Sequence, residues 1–160
     1  MDVVVVCGYP CSGKGTFVAE RFPNSNWEQI TTSDVVRDIS GMMQRSNLGT
    51  TGHLDQVIAE EIVNRSHEAL LRKKSVVIEG IRQYSILESV RDSMATEGCK
   101  ITVIWLSVST KELRRRFELR GDKKDDLTFE EAIDSDCKLG LTELEYRLKS
   151  DPTTTIIENE

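Results

Sequence analysis

The chain has 160 residues, which is enough for one domain with a sizeable core and too few for two. Its 21 lysines and arginines against 27 aspartates and glutamates give a net charge of -6, which argues weakly against a protein that mainly coats nucleic acid or an anionic membrane. The apolar runs are too short for a membrane helix and no secretion signal is evident, so we expect a cytoplasmic protein with no membrane partner.

The first part of the chain alternates apolar runs with helical patterns, which is typical of a parallel sheet covered by helices. Residues 3–7 predict a buried strand, and residues 14–22 predict a helix that Pro23 ends. A short strand follows at residues 27–30. Ser33 is then expected to cap a helix that runs to about residue 43.

The middle of the chain predicts a long helix and a third strand. Gly49 and Gly52 indicate a break before this helix, in which apolar residues recur at every fourth position on one face: Leu54, Ile58 and Ile62. Residues 75–78 predict the third strand, and Glu79 lies at its carboxyl end. A further helix at about residues 85–96 should end at Gly98, a suitable residue for a helix C-terminus.

The last part contains a fourth and a fifth strand, at residues 101–108 and 154–157. Ser109 with Glu112 predicts a capping box for one helix, and Thr128 with Glu131 predicts another for a helix that Gly140 kinks or interrupts. No repeat or linker is found. The sequence therefore predicts one α/β domain, a three-layer α/β/α arrangement around a five-stranded parallel sheet.

Four cysteines are spread along the chain without the CxxC spacing of zinc ligands. They are Cys7, Cys11, Cys99 and Cys137. We therefore expect reduced thiols and no structural zinc.

The segment "GYPCSGKGT", from Gly8 to Thr16, has the spacing Gly-x-x-x-x-Gly-Lys of a phosphate-binding loop (Walker A). It lies between a predicted strand and a predicted helix, which is the context that the motif requires. Backbone N–H groups of such a loop and the positive end of the helix attract a polyphosphate. The residues expected to hold the nucleotide are Gly8, Cys11, Ser12, Gly13, Lys14, Gly15 and Thr16.

Gly15 departs from the general pattern, in which Ser or Thr follows the lysine and touches Mg²⁺. Thr16 is one position late, and it is expected to reach a phosphate oxygen or the metal from the first helical turn. The ion would then be held mainly by the nucleotide and by waters that carboxylates orient. Glu79 and Asp34, at predicted strand ends, are the candidate carboxylates.

The loop, with Gly-Thr after its lysine, resembles that of adenylate kinase and other nucleoside monophosphate kinases. "ITTSDVVRDIS" is similar to the segment with which those enzymes grip the acceptor phosphate, which implies Thr32 and Arg37 as acceptor contacts. "VIEGIRQ" resembles their acidic strand end followed by an arginine. The resemblance implies that Glu79 orients metal-bound water and that Arg82 binds the acceptor phosphate.

"ELRRRFELRGD" resembles the start of the mobile lid of these kinases, and Arg116 and Arg120 have the four-residue spacing of its two arginines. Overall the chain is most similar to an archaeal dephospho-CoA kinase-like family, through "GIR" after the third strand and the acidic helix that ends near "LG". The resemblance implies a P-loop kinase fold, ATP and Mg²⁺ as cofactors, and nucleotides as small-molecule substrates. It also implies an acceptor-binding helical region at about residues 33–73.

Three features depart from adenylate kinase. The proline before Arg82 is replaced by Ile81, the acidic residue is Glu79 instead of aspartate, and the lid is reduced to about residues 116–127 without zinc-type cysteines. A short lid weakens the expectation of tight water exclusion and fast turnover.

The leading hypothesis is therefore an ATP-dependent kinase for a small phosphorylated acceptor, with (deoxy)nucleoside monophosphates as the first candidates. Lys14 would hold the donor, Arg37 and Arg82 would orient the acceptor, and Arg116 and Arg120 would neutralise the transferring group. A hydroxyl acceptor would need a general base, for which Asp34 is the best candidate. Gln83 is a candidate for reading a base edge.

Other functions stay open at this point. Two alternative acceptors are a compound with a hydroxyl, such as dephospho-CoA, and a modified base within DNA, as for some viral kinases. The acidic composition disfavours nucleic acid. A regulatory ATPase without an acceptor and a non-catalytic remnant are the remaining alternatives. The four arginines at 37, 82, 116 and 120 argue against the ATPase, because a switch needs no second phosphate site.

Overall fold

A computed structural model describes residues 1–42, 51–120 and 127–160. Within these residues five strands and seven helices follow one another as β1 (Asp2–Cys7), α1 (Lys14–Arg21), β2 (Trp27–Thr31), α2 (Thr32–Met42), α3 (Thr51–Leu71), β3 (Ser75–Glu79), α4 (Tyr84–Thr96), β4 (Lys100–Ser107), α5 (Thr110–Leu119), α6 (Phe129–Leu139), α7 (Leu141–Ser150) and β5 (Thr155–Glu158). The predicted break at Gly49 and half of the predicted lid, residues 121–126, lie outside the described residues.

The five strands form one parallel sheet in the order β2-β3-β1-β4-β5. This confirms the predicted α/β class and the five-stranded parallel sheet. The chain turns to opposite sides of β1 for β3 and β4, and ligands of such sheets bind at the carboxyl ends of the strands at this point. Val6 is in register with Glu79, so the end of β1 and the end of β3 lie side by side.

The core lies on both faces of the sheet because strand side chains point alternately to each side. On β1, Val3 and Val5 pack in a cluster that includes α3, α4 and α7, whereas Val4 and Val6 pack in a second cluster with α1. All four valines are at most 7% exposed. The three-layer arrangement is therefore confirmed, and the near-continuous apolar run of β1 is explained by burial on both faces.

Two helix starts differ from the prediction. Helix α2 begins at Thr32, directly after β2 ends at Thr31, so Ser33 lies inside the first turn and is not the N-cap. Gly52 likewise falls in the first turn of α3 and does not precede the helix. The start of α2 is decided by its direct connection to β2, which sequence composition does not report.

Of the two predicted capping boxes, the one on α6 is complete. Thr128 Oγ1 accepts from the N–H of Glu131, and the Glu131 carboxylate accepts from the N–H of Thr128. On α5 only Ser109 contributes, because the Glu112 carboxylate accepts from two arginines instead. The N–H of Ser109 donates to Glu160 at 2.6 Å and not to the Glu112 carboxylate, so this hydrogen bond of the predicted capping box was wrong.

Gly140 separates α6 from α7 and has φ +117°, a left-handed conformation that side chains rarely adopt. Helix α7 then packs on the core through three fully buried leucines on one face, Leu141, Leu144 and Leu148. Each contributes about 1.5–3 kcal/mol of burial free energy, so the C-terminal side of this joint is firmly anchored. None of the helices in the described residues combines the length and the apolar character needed to cross a membrane.

Candidate active site

Residues 8–13 join the end of β1 to the start of α1 in a tight loop. The N–H of Ser12 donates to the carbonyl oxygen of Tyr9 at 3.1 Å, and both Cys11 (φ +66°) and Gly13 (φ +88°) are left-handed. Successive turns of this kind direct backbone N–H groups toward one point, which is the geometry of an anion-binding concavity. The backbone thus has the conformation that the glycine spacing predicts.

Two glycines of the loop have no room for a side chain. A Cβ on Gly8 would lie 2.6 Å from Ser12 Oγ and 3.2 Å from the carbonyl oxygen of Leu106. A Cβ on Gly13 would lie 2.7 Å from Asn159 Nδ2, on a backbone that is already left-handed. Both positions therefore require glycine for steric reasons.

The Lys14 ammonium folds back over the loop. Its Nζ donates to the carbonyl oxygens of Gly8, at 3.0 Å, and Tyr9, at 2.9 Å. Burial lowers the pKa of Lys14, nearby Glu79 opposes this shift, and nearby Arg82 adds to it. Lys14 is thus a partly desolvated cation beside the loop, and an anionic ligand would stabilise its charge.

Glu79 is the last residue of β3 and lies beside the loop. Its Oε1 is 3.8 Å from the position that a Cβ would take on Gly15. Burial raises the pKa of Glu79, Lys14 opposes the shift, and Asp34 contributes to it. Lys14, Glu79 and Asp34 therefore lie near one another. Thr16 is exposed in the first turn of α1.

The predicted acceptor contacts on α2 have different environments. Thr32 is 3% exposed, packs over Gly80, and its Oγ1 has no hydrogen-bond partner in the described part of the chain. Asp34 Oδ1 accepts from Arg37 Nη2 at 2.6 Å, and the Arg37 side chain is 73% exposed. Thr32 and Asp34 thus lie near Gly80 and Glu79, whereas Arg37 is bound to Asp34 at the surface.

Arg82 is held by a residue that sequence reasoning missed. Its Nε lies 3.2 Å from Oδ1 of Asp136, on α6. Asp136 is 9% exposed and is the one charged residue buried among the described residues. No motif marks Asp136, because it is 54 positions after Arg82 and lies within an acidic helical pattern typical of a solvated surface.

Arg116, on α5, and Arg120, the residue directly after this helix, both reach the phosphate-binding loop. Arg116 donates to the carbonyl oxygen of Cys11 at 3.3 Å and, through Nε, to Glu112 at 2.9 Å. Arg120 Nη1 lies 3.5 Å from Cys11 Sγ. Hydrogen bonds from Arg115 and Arg116 lower the pKa of Glu112 to about 2.

Asn159 is a second residue that the sequence did not reveal. Its Nδ2 donates to the carbonyl oxygen of Ser12 at 2.8 Å, and its own carbonyl oxygen accepts from Arg116 Nη2 at 2.5 Å. The N–H of Asn159 donates to the carbonyl oxygen of Ser107 at 2.9 Å. The residue just after β5 thus joins the loop, β4 and α5, and only the parallel sheet brings it there.

Comparisons with known proteins agree with this architecture. The model of the AAA domain family (AAA_33) matches residues 3–135. A UPF0200 protein of Pyrococcus abyssi (strain GE5 / Orsay) is 28% identical over 152 residues, which cover 85% of this chain and 76% of that protein.

Among solved structures, a chain of the Pnkp1/Rnl/Hen1 RNA repair complex superposes with a TM-score of 0.65 and 20% identity. The match covers 96% of this chain and 47% of that chain, so the present protein spans about half of its length. At this identity the likeness shows the fold alone.

The family match extends from β1 to β4, through the loop and α5 into α6, and so includes the segments that carry Lys14, Glu79, Arg82 and Arg116. Together with the glycine-rich loop at the end of β1, it shows that the chain belongs to the AAA domain family.

Proposed function

We propose that the chain is an ATP-dependent phosphotransferase that acts on a small phosphorylated acceptor, with ribo- and deoxynucleoside monophosphates as the leading acceptor class. The observation that carries the proposal is the gathering of Lys14, Arg82 and Arg116 at one loop from three separate parts of the chain. Lys14 and Arg116 suit the polyphosphate of the donor. Arg82, in the segment after β3, supplies a further cation for a second anionic group, which a nucleotide-binding switch does not need.

The residues present fit ATP and Mg²⁺. The left-handed turns of the loop and Lys14 suit a polyphosphate, and Glu79 suits an ion held through water. No group of three His, Cys, Asp or Glu side chains converges within the described residues, so the nucleotide and water would supply most ligands, with Thr16 near the same end of α1. Bound Mg²⁺ would neutralise part of the polyphosphate charge.

The proposed reaction forms a bond between an acceptor phosphate oxygen and the γ-phosphorus of ATP. The bond from that phosphorus to the oxygen bridging to ADP breaks, and its electron pair leaves with ADP. An acceptor phosphate is already anionic, so positioning and charge stabilisation supply most of the rate and no general base is obligatory. Lys14, Arg116 and Arg120 supply the charge on the donor side.

On the acceptor side, Arg82 and Thr32 are the proposed phosphate ligands. The Arg82 ion pair uses Nε, and a planar guanidinium binds phosphate oxygens best through two nitrogens at once. The Thr32 hydroxyl is buried without a protein partner in the described residues, a costly arrangement that a bound ligand would relieve. Arg37 would join them by leaving Asp34, its surface partner.

A hydroxyl acceptor is the second candidate, and the position of Asp34 favours it. Asp34 follows the carboxyl end of β2 and lies close enough to Glu79 to raise the pKa of that carboxyl group. A carboxylate there would accept the proton of an attacking hydroxyl. Dephospho-CoA, hydroxylated bases in DNA and, given the RNA repair complex of the fold neighbour, RNA ends are therefore included among the acceptors to be assayed.

The decisive experiment is a coupled ADP-release assay with ATP and a panel of acceptors. The panel contains ribo- and deoxynucleoside monophosphates, dephospho-CoA, DNA with hydroxymethylated bases, and an RNA oligonucleotide with a 5′-hydroxyl. We expect ADP release to rise well above basal hydrolysis with one or more mononucleotides, and radiolabel from γ-labelled ATP to appear in the acceptor. Slow hydrolysis that no acceptor stimulates would instead identify a regulatory ATPase and refute the proposal.

A further inference from the structure

The pair of Arg82 and Asp136 is unlike the other ion pairs of α6. Lys138 and Asp134 are paired one turn apart on the surface, with side chains 78% and 62% exposed. Asp136 instead points inward, with a side chain 12% exposed, and meets an arginine that follows β3. A buried carboxylate costs free energy unless a partner compensates it, so Arg82 and Asp136 depend on each other.

Helix α6 forms a unit with α5, the helix that carries Arg116. The Phe117 and Phe129 rings pack edge to face with centroids 5.8 Å apart, and Arg114 lies over the Phe129 ring while binding Glu130. This unit contacts the phosphate-binding loop through Arg116 and the acceptor side through Asp136.

The other end of α6 fixes Asp136 relative to the backbone of Arg82. A Cβ on Gly140 would lie 3.7 Å from the carbonyl oxygen of Arg82, so the α6–α7 joint packs directly on this segment. The fully buried leucines of α7 hold the joint on the core. The packing of this joint therefore fixes the position of Asp136 relative to Arg82.

We propose that Asp136 is the positioning residue of the acceptor subsite: by pairing with Arg82, whose Nε lies 3.2 Å from Asp136 Oδ1, it fixes the guanidinium in the segment after β3 and leaves the terminal nitrogens for an anionic group of the acceptor. The inference rests on the proposed function and adds a residue to its acceptor site. A side chain as long as arginine has many rotamers, and a fixed partner at Nε removes most of this freedom before the acceptor binds. Asp136 acts through Arg82 and does not touch the reacting atoms.

The test is a double-mutant cycle on acceptor kinetics. Asp136→Asn keeps the shape of the side chain and removes its charge, and we expect acceptor kcat/KM to fall about tenfold to a hundredfold, while KM for ATP stays within about twofold. In an Arg82→Gln background the same change should alter acceptor kcat/KM by less than about twofold, because the group through which Asp136 acts is gone. Equal losses in both backgrounds would overturn the proposal.

Asp134→Asn is the matched control, since it removes the same charge from the same helix at an exposed site. It should leave acceptor kinetics and the melting temperature unchanged. A loss that Asp134→Asn shares would show a general charge effect of α6 and refute a specific role for Asp136. Asp136→Glu, which restores the charge one methylene further out, should recover part of the activity.

A second measurement separates this inference from the proposed function. In wild-type protein labelled with ¹⁵N at arginine Nε, the Arg82 Nε–H should give a resonance whose chemical shift reports the neighbouring carboxylate, and Asp136→Asn should shift this resonance whereas Asp134→Asn should not. If wild-type protein phosphorylates no acceptor, the proposed function fails but this spectrum still decides whether Asp136 fixes Arg82. Identical spectra for wild type and Asp136→Asn would overturn the positioning role.

Discussion

Lys14 is the residue on which the chemistry depends most directly. Its ammonium donates to the carbonyl oxygens of Gly8 and Tyr9 and is partly desolvated. An ammonium in this position is stabilised poorly by the protein alone, as its lowered pKa indicates. The loop is thus prepared for a ligand that brings negative charge.

Replacing Lys14 with alanine should therefore abolish phosphoryl transfer but leave the fold intact. We expect kcat to fall by at least about a hundredfold, the usual loss when one group that stabilises developing charge is removed. Circular dichroism and thermal unfolding should match those of wild type, because the side chain contributes an unfavourable desolvation term. The exposed Lys111→Ala is the control, and full transfer activity in Lys14→Ala would end the kinase proposal.

Glu79 gives a prediction about pH. Burial raises its pKa above 4.5, so between this value and the folded-state pKa the folded protein binds more protons than the unfolded chain. The contribution of protonated Glu79 to the stability of the folded state is therefore complete below pH 4.5, and it is lost as the pH rises through the pKa of Glu79 in the folded protein. The Glu79→Gln variant has no such titration. The difference in free energy of unfolding, variant minus wild type, should therefore increase between pH 4 and pH 8, while the transfer activity of the variant falls.

Urea unfolding of both proteins at several pH values measures this effect. Glu68→Gln, on the exposed side of α3, serves as the control and should track wild type across the range. A stability difference between Glu79→Gln and wild type that does not vary with pH would contradict the prediction.

At the scale of the elements, the joints between helices and strands decide where the charged groups lie. The strand β3 ends at Glu79, four residues separate it from α4, and Arg82 lies within this segment. The α6–α7 joint at Gly140 packs against the same segment from the other side. Small changes in the backbone at this joint should therefore displace Arg82.

Gly140→Ala should destabilise the protein by about 1–2 kcal/mol, because a side chain is strained at φ +117°. It should also reduce acceptor kcat/KM more than it affects KM for ATP, since the joint supports Arg82 and Asp136. Gly41→Ala is a matched control: Gly41 lies in α2, no described residue comes within 4 Å of a Cβ placed there, and alanine should be neutral or stabilising. Equal stability changes in the two variants would contradict this reading of Gly140.

At the scale of the molecule, the sheet order sets a gradient of stability. Strand β1 is central, pairs with β3 and β4, and its Val3, Val5 and Val6 are completely buried. Strand β5 is at the edge, pairs with β4, and its Ile156 is 46% exposed. Edge strands with exposed hydrogen bonds open locally at lower free energy than a buried centre.

Native-state hydrogen exchange should show this gradient. We expect amides of β1 to exchange only by global unfolding, and amides of β5 to exchange at least about tenfold faster. Protection of β5 equal to that of β1 would show that the contacts of Asn159 and Glu160 couple this edge to the core. It would contradict the expected gradient.

The sequence by itself determined the class of the fold, the five parallel strands and the phosphate-binding loop. These features depend on local patterns, since a buried strand is an apolar run, a helix has a 3.6-residue period, and the loop has the spacing Gly-x-x-x-x-Gly-Lys. The complete capping box at Thr128 is local in the same sense.

Only the tertiary structure decided which partners the functional side chains have. It joined Arg82 to Asp136 and Asn159 to the loop, redirected Glu112 from the predicted capping box to two arginines, and left Arg37 at the surface. The members of such pairs lie far apart in the chain or have alternative local partners. Which side chains pair therefore depends on which surfaces the parallel sheet brings together. The free energy of a charge depends on these neighbours, and no local pattern reports them.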